Sequence, residues 1–190
     1  PMVPEGEYTV KLIKGKNEFE TTLSVRADPD SPHSKADRKL RSKTVWKLYE
    51  IQGRLAYITD VMQNASDQAD DLGEKLKKKE RLRKELKQFS GELQGLRKSL
   101  VATRLGGITG EEKLREKIVG LYSAVIGYGG RPTQTQLNRV SVLQKGIDNA
   151  ERGYENLINK RLENLNRKLE KKDLTPIQLL TKETWDARQT

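Results

Sequence analysis

The sequence predicts a mainly α protein: an elongated, antiparallel bundle of three to four helices, preceded by a short N-terminal β-hairpin. Three observations support this fold class. Apolar residues recur at steps of three and four through most of the chain after residue 35, which is the spacing of one helix face. Apolar and charged residues each make up 34% of the sequence, so the core must be a narrow seam. The first 27 residues instead alternate polar and apolar side chains, as β-strands do.

Residues 1–27 form the predicted hairpin, with a turn at Gly15-Lys16-Asn17. The alternation places one apolar set on a single face: Tyr8, Val10, Leu12, Phe19, Leu23 and Val25. A lone two-stranded hairpin is marginally stable in water. We therefore expect this face to lie against missing strands, the helices downstream or a neighbouring chain. Residues 28–34 form a linker, because their two prolines disfavour helix.

Residues 35–173 contain four predicted helices. Ser34 caps the first, which runs from about Lys35 to Asp71. The second continues after Gly73 to about Thr103. Two capping boxes predict the starts of the short third helix and the long fourth helix: Thr109 with Glu112, and Thr133 with Gln136.

Short connections predict antiparallel neighbours in an up-down-up-down bundle within one chain. The alternative is an intermolecular coiled coil, because sustained heptad-like stripes also drive self-association. We expect a monomer rather than a homo-oligomer. Residues 174–190 form a C-terminal tail with a few apolar residues that can dock on a helix or on the hairpin: Ile177, Leu179, Leu180 and Trp185.

The composition argues against most catalytic and membrane functions. The chain has no cysteine and one histidine, His33, which argues against disulfides, thiol nucleophiles and histidine-cluster metal sites. No apolar run approaches the roughly 20 residues that a membrane span needs. We therefore expect no enzyme activity, no catalytic residue, no cofactor and no metal site. His33 lies in the linker, and we expect it to be exposed.

Several acidic residues resemble parts of known sites. Glu111 and Glu112 are the pair that a glycosidase interpretation would select, but a position in the first turn of the third helix explains them through capping. Two other acidic sets lack the spacing and glycine of a calcium loop: Asp28 with Asp30, and Asp67 with Asp70 and Asp71.

Three aromatic residues are of the kind that stacks on sugar rings: Trp46, Tyr49 and Tyr57. They lie beside the apolar stripe of the first helix, which favours packing at the end of the bundle.

Eight basic residues occur within thirteen positions: Lys75, Lys77, Lys78, Lys79, Arg81, Arg83, Lys84 and Lys87. Such a surface attracts nucleic acid, acidic polysaccharide or an anionic membrane. The candidate patch for a polyanion or a protein partner comprises Lys77, Lys78, Lys79, Arg81, Arg83 and Lys84. The alternative is a solvated helix face, because the side chains spread around the helix and three glutamates dilute their charge.

Three stretches resemble one known family. Residues 3–12, the second strand and Val25-Arg26-Ala27-Asp28-Pro29 resemble the last hairpin of the immunoglobulin-like module in large secreted bacterial proteins. Residues 106–118 and Gly130-Arg131-Pro132-Thr133 resemble their helical C-terminal end. Those proteins carry sortilin-like (VPS10-type) or BNR-repeat β-propellers and are often described as glycosyl-hydrolase-like.

The resemblance implies that the hairpin belongs to a truncated immunoglobulin-like module. It implies a non-catalytic accessory, scaffold or protein-interaction region of a larger protein in an extracytoplasmic location, periplasmic or secreted. The partners would then be the upstream β-propeller and immunoglobulin-like domains of the same polypeptide. The alternative function is a basic helical module that binds a polyanion.

Overall fold

A computed structural model of the chain describes residues 1–103 and 110–188. Within these residues the predicted fold class, a helical bundle preceded by a β-hairpin, is confirmed. The elements in chain order are β1 (Gly6–Lys14), β2 (Asn17–Val25), α1 (Lys35–Glu74), α2 (Arg81–Leu100), α3 (Leu114–Ile126), α4 (Gln134–Glu170) and α5 (Lys182–Ala187).

The hairpin is a regular antiparallel pair. Tyr8 lies opposite Leu23 and Leu12 lies opposite Phe19, so the predicted apolar residues do share one face. Gly15 has a φ of +64°, the left-handed conformation that the turn needs and that glycine adopts without strain. On the opposite face the Lys11 ammonium lies 2.6 Å from a Glu18 carboxylate oxygen.

The helices contribute to two compact units. The first unit comprises Pro1–Tyr49 and Leu121–Val140, and the second comprises Glu50–Gly120 and Ser141–Thr190. In the first unit the Arg41 guanidinium donates to the carbonyl oxygens of Val125 (3.2 Å) and Ile126 (2.6 Å), the last residues of α3. Because these carbonyls have no partner within the helix, Arg41 joins α3 to α1.

The second unit contains most of the predicted core. The apolar stripe of α1 is buried as predicted, and α2 adds a second stripe that includes Leu86, Phe89 and Leu93, each completely buried. From α4, Leu143, Ile147, Leu165 and Leu169 are also buried. The stripes therefore face one another across a narrow seam, as the composition requires.

Within this unit α2 is antiparallel to both of its long neighbours. Ser66 and Gln63 of α1 contact Ser90 and Gln94 of α2, so the residue numbers rise in one helix as they fall in the other. The same holds for α2 and α4, where Glu85 pairs with Lys168 and Glu92 with Arg161. Consequently α1 and α4 run in the same direction. The predicted up-down-up-down order makes α1 and α4 antiparallel and is wrong for this pair. A short connection constrains the direction of two helices that are consecutive in the chain, and α1 and α4 are not consecutive.

The helix starts show where capping signals suffice. Ser34 Oγ accepts a hydrogen bond from the Asp37 amide (3.1 Å), as predicted for α1. At α4 the capping box is reciprocal: the Gln136 amide donates to Thr133 Oγ1 (3.2 Å) and the Thr133 amide to Gln136 Oε1 (2.9 Å).

Two predicted starts differ from the structure. Thr109 and the Gly106-Gly107 pair lie outside the described residues, and α3 begins at Leu114, so Glu111 and Glu112 precede that helix rather than occupy its first turn. The second helix begins at Arg81 and not soon after Gly73. The lysines at 75–79 therefore lie in the loop between α1 and α2, where like charges are not held side by side on one helical turn.

The C-terminal tail belongs to the second unit and packs against α1 and α4. Ile177 and Leu180 are buried, as their apolar character suggested. The side-chain amide of Asn166 makes two hydrogen bonds to the backbone of Ile177, and that of Gln68 makes two to the backbone of Gln178, all between 2.8 and 3.0 Å. The short helix α5 follows, capped by Thr181 Oγ1, which accepts from the Thr184 amide.

Candidate functional surface

The acidic residues singled out as possible catalytic or calcium-binding groups make local structural contacts. Glu111 accepts from the Thr103 amide at 3.2 Å, and Asp28 accepts from the Asp30 amide at 2.9 Å. Glu112 also has a partner. Among the residues that the structure describes, no three acidic or histidine side chains come close enough to hold a metal ion.

A buried polar network lies between α1 and α2. Ser90 Oγ donates to Asp70 Oδ2 at 2.8 Å and lies 2.9 Å from Ser66 Oγ, which also accepts from the Gln94 amide at 3.1 Å. A serine hydroxyl beside a carboxylate is part of many hydrolytic sites. Here Ser66 is fully buried and Ser90 is only 5% exposed, so the hydroxyls hold two helices together and do not face a substrate.

His33 is half-buried, and the prediction that it is exposed is wrong. Its ring packs edge-on against Tyr128, with centroids 5.5 Å apart. A Cβ atom on Gly130 would lie 2.7 Å from His33 Cε1 and 2.8 Å from Tyr128 Cε1, so only glycine fits beside these rings. The Gly129-Gly130 pair therefore lets the α3–α4 loop approach the linker, an arrangement that local sequence patterns do not reveal.

The three aromatic residues of α1 differ in their surroundings. Tyr57 packs against the edge of Trp185, and its hydroxyl donates to the Leu180 carbonyl at 3.0 Å, so the packing prediction holds for this residue. Trp46 and Tyr49 pack against each other but stay 38% and 51% exposed, and the prediction that they pack at the end of the bundle is wrong for this pair.

The six residues of the candidate basic patch fall into two groups. Lys77, Lys78 and Lys79 are exposed in the α1–α2 loop, and Lys84 is exposed on α2. The remaining two have structural contacts: Arg83 donates to the Leu76 carbonyl at 2.9 Å, and Arg81 pairs with Glu85 at 3.0 Å. The lysines thus remain available to a ligand, while Arg83 closes the loop.

The fold adds basic residues from the end of α4 and from the turn that follows it, which the sequence analysis did not connect with this patch. Lys168 pairs with Glu85 at 2.6 Å and Lys172 pairs with Glu80 at 2.8 Å, so the end of α4 lies beside the start of α2. We call residues 75–87 and 167–172 together the basic pole. They contain eight basic and two acidic residues in the first segment and four and one in the second, which leaves a formal charge of +9 out of the net +10.

Two glutamates of the basic pole, Glu80 and Glu85, are held ionised by lysines from the second segment. The hydrogen bond from Lys168 is the main cause that lowers the pKa of Glu85, and the hydrogen bond from Lys172 is the main cause that lowers the pKa of Glu80. These pairs offset the charge of Lys168 and Lys172, which leaves the loop lysines as the main source of positive potential.

The apolar face of the hairpin is the second candidate surface. Val10, Leu12, Phe19 and Leu23 are between 45% and 63% exposed, so the described residues do not cover it. Leu12 and Phe19 form one cross-strand pair on this face. Val10, opposite Thr21, and Leu23, opposite Tyr8, lie on the same face. A contiguous apolar sheet face of this kind marks an interaction site more often than a scattered set of apolar residues does.

Comparison of the sequence with family models and with characterised proteins, and of the fold with solved structures, finds no match. None of the helices described is both long and apolar enough to cross a membrane.

Proposed function

We propose that this chain is a non-catalytic accessory region of a larger secreted, glycosyl-hydrolase-like protein, in which the helices are a scaffold and the hairpin joins further β-structure. The observation that carries the proposal is the exposed apolar face of the hairpin. Burying it would remove large side chains such as Leu12 and Phe19 from water, and each contributes about 1.5–3 kcal/mol when fully buried.

The occupant that we propose for this face is the remaining strands of an immunoglobulin-like module in the same polypeptide. Both strands of the hairpin are edge strands, and their free backbone groups can pair with further strands. A β-sandwich uses such a sheet with one apolar face inward and one polar face outward. The polar face here, with Lys11, Glu18 and Glu20 exposed and paired, suits the outward position.

The absence of catalysis in this region is part of the proposal. It is supported by the structural roles of the candidate groups. Glu111 accepts a hydrogen bond from the Thr103 amide, and the hydrogen bond from Ser90 to Asp70 joins α2 to α1. The extracytoplasmic location and the β-propeller partner remain implications of the family resemblance, and both belong to the proposal.

Hydrogen exchange of the hairpin amides tests the proposal directly. The measurement compares residues 6–25 in this chain and in the polypeptide encoded by the complete gene. We expect rapid exchange in this chain and exchange slower by about a hundredfold or more in the longer polypeptide, because added strands protect edge amides. Equal exchange in both would overturn the proposal.

Two substitutions separate the two faces of the hairpin in the longer polypeptide. Replacing Leu12 and Phe19 by lysine places charge on the apolar face and is expected to restore rapid exchange. Ile13→Lys is the matched control, because Ile13 is 62% exposed and lies opposite Glu18 on the polar face. If the control has the same effect as the double variant, burial of the apolar face is not what protects the hairpin.

A further inference from the structure

The basic pole carries an inference that goes beyond the proposed scaffold role. Its exposed ammonium groups come from two segments that lie about eighty residues apart in the chain, and the fold brings them together at one end of α2. Within the described ranges, six of its lysine side chains make no ion pair: Lys75, Lys77, Lys78, Lys79, Lys84 and Lys87. Lys171, which directly follows α4, is likewise exposed and unpaired there.

Helix stability does not explain the charge on α2. Arg81, Arg83 and Lys84 occupy the first turn, where the helix dipole favours acidic residues, and this turn contains no acidic residue. The basic residues near the end of α4, Arg167 and Lys168, are different, because cations are favourable at a helix C-terminus. Glu80 at the N-cap and the pair of Arg81 with Glu85 offset part of this cost, and Arg83 closes the loop. Lys84 has neither role, so the stability of the helix does not account for its charge.

The chemistry of the pole fits a ligand with a row of phosphate groups rather than a lipid bilayer or a sugar. Its apolar residues, Leu76, Leu82, Leu86 and Leu169, are all buried. No apolar side chain of these described segments is therefore available to enter a membrane or to stack on unpaired bases. Neither of these described segments contains an aromatic residue, and the nearby Phe89 of α2 is fully buried. The pole therefore lacks the aromatic surface on which sugar rings stack.

Lysine rather than arginine provides the unpaired cations. An ammonium group is a compact point charge that recognises phosphate by charge and not by a fixed bidentate geometry. Such a surface responds to charge density, and a nucleic-acid duplex presents about one phosphate per 1.7 Å of its axis. We propose that the basic pole binds the phosphate backbone of double-stranded nucleic acid without reading its sequence.

Fluorescence anisotropy with a labelled DNA duplex of about 20 base pairs tests the proposal across a series of salt concentrations. We expect binding at low salt, with the logarithm of the affinity falling linearly as the logarithm of the salt concentration rises. Replacing Lys77, Lys78, Lys79 and Lys84 by glutamine should weaken binding by about tenfold or more and make the salt slope shallower by about three to four units, since each lost phosphate contact removes about 0.9.

A matched control removes the same charge elsewhere. Lys43, Lys47, Lys98 and Lys145 are exposed lysines outside the pole, and their replacement by glutamine should change the affinity by no more than about twofold. The single variant Lys171→Gln tests the contribution of residues 167–172 and should make the slope shallower by about one unit. Circular dichroism confirms that each variant keeps its helices.

Three results would overturn the proposal. The first is no salt-dependent binding of the duplex by the natural chain. The second is an equal loss of affinity in the pole variant and the control variant, which would mean that only the net charge matters. The third is tighter binding of heparin or of phosphatidylserine vesicles than of the duplex at the same salt concentration, which would assign the pole to a different polyanion.

Discussion

Single polar residues determine how the helices of the second unit meet. Ser66, Ser90 and Asp70 are hydrogen-bonded within an otherwise apolar interface, and Gln94 completes the network. A buried polar group costs free energy unless its partners are in place. The network therefore favours the one register of α1 and α2 in which these side chains face one another.

Replacing Ser90 by alanine should lower the free energy of unfolding by about 1 kcal/mol, because the buried Ser66 hydroxyl loses one of its two partners, whereas Asp70 is exposed and can bond to water. The double variant Ser66→Ala with Ser90→Ala should cost less than the sum of the single variants, since the two hydroxyls share one network. Denaturant unfolding measures these values. Ser141→Ala, at an exposed position of α4, is the control; a cost for Ser90→Ala no greater than that of the control would refute the role of the network.

At the scale of residues, local contacts such as helix caps were predictable from the sequence, and contacts between distant parts of the chain were not. Ser34 and Thr133 cap their helices as predicted because a cap involves residues only three positions apart. The contact of His33 with Tyr128 and Gly130 joins the linker to a loop about ninety-five residues away, and no local pattern encodes such a contact.

At the scale of elements, some features of the C-terminal tail were predictable from the sequence and others were not. The buried positions of Ile177 and Leu180 follow from their apolar character. Thr181, three residues before Thr184 and with Glu183 between them, is a capping signal that would have predicted α5. The side-chain amides of Gln68 and Asn166, which clamp the backbone of the tail, have no such signal. Asparagine and glutamine recur throughout α1 and α4, and the sequence does not indicate which of them bind the tail.

Replacing both Gln68 and Asn166 by alanine should release the tail, because four hydrogen bonds to its backbone are lost. Trp185 reports the release, since its indole N–H donates to Asp60 at 2.8 Å and its ring packs on Tyr57. In a Trp46→Phe background, the emission of Trp185 should move to longer wavelength. Asn164→Ala is the control at an exposed position of α4; unchanged emission in the double variant would show that the clamps do not hold the tail.

The start of α2 differs from its prediction: the helix begins at Arg81 and not soon after Gly73. Apolar spacing alone extends a helix back through Leu76, which is indeed buried. The structure instead places residues 75–80 in a loop closed by Arg83, whose guanidinium bonds the Leu76 carbonyl. A buried leucine in a loop and one in a helix give the same pattern, so periodicity could not distinguish them.

At the scale of the whole molecule, the fold class was predictable because it follows from periodicity and composition. The candidate surfaces were predictable only in part. The apolar face of the hairpin was visible as an alternation, and its exposure emerged from the structure. The basic pole was visible only as its first segment, because the contribution of α4 depends on which helix packs beside α2.

The account as a whole rests on helices that bury their apolar stripes within one chain, while the apolar face of the hairpin stays exposed. Any self-association should then depend on that face and not on the helices. The measurement is sedimentation velocity of the Leu12→Lys, Phe19→Lys variant over a wide range of concentration. We expect a single species of 21.7 kDa at every concentration, whereas a dimer or trimer of this variant would show that the stripes pair between chains and would contradict the account.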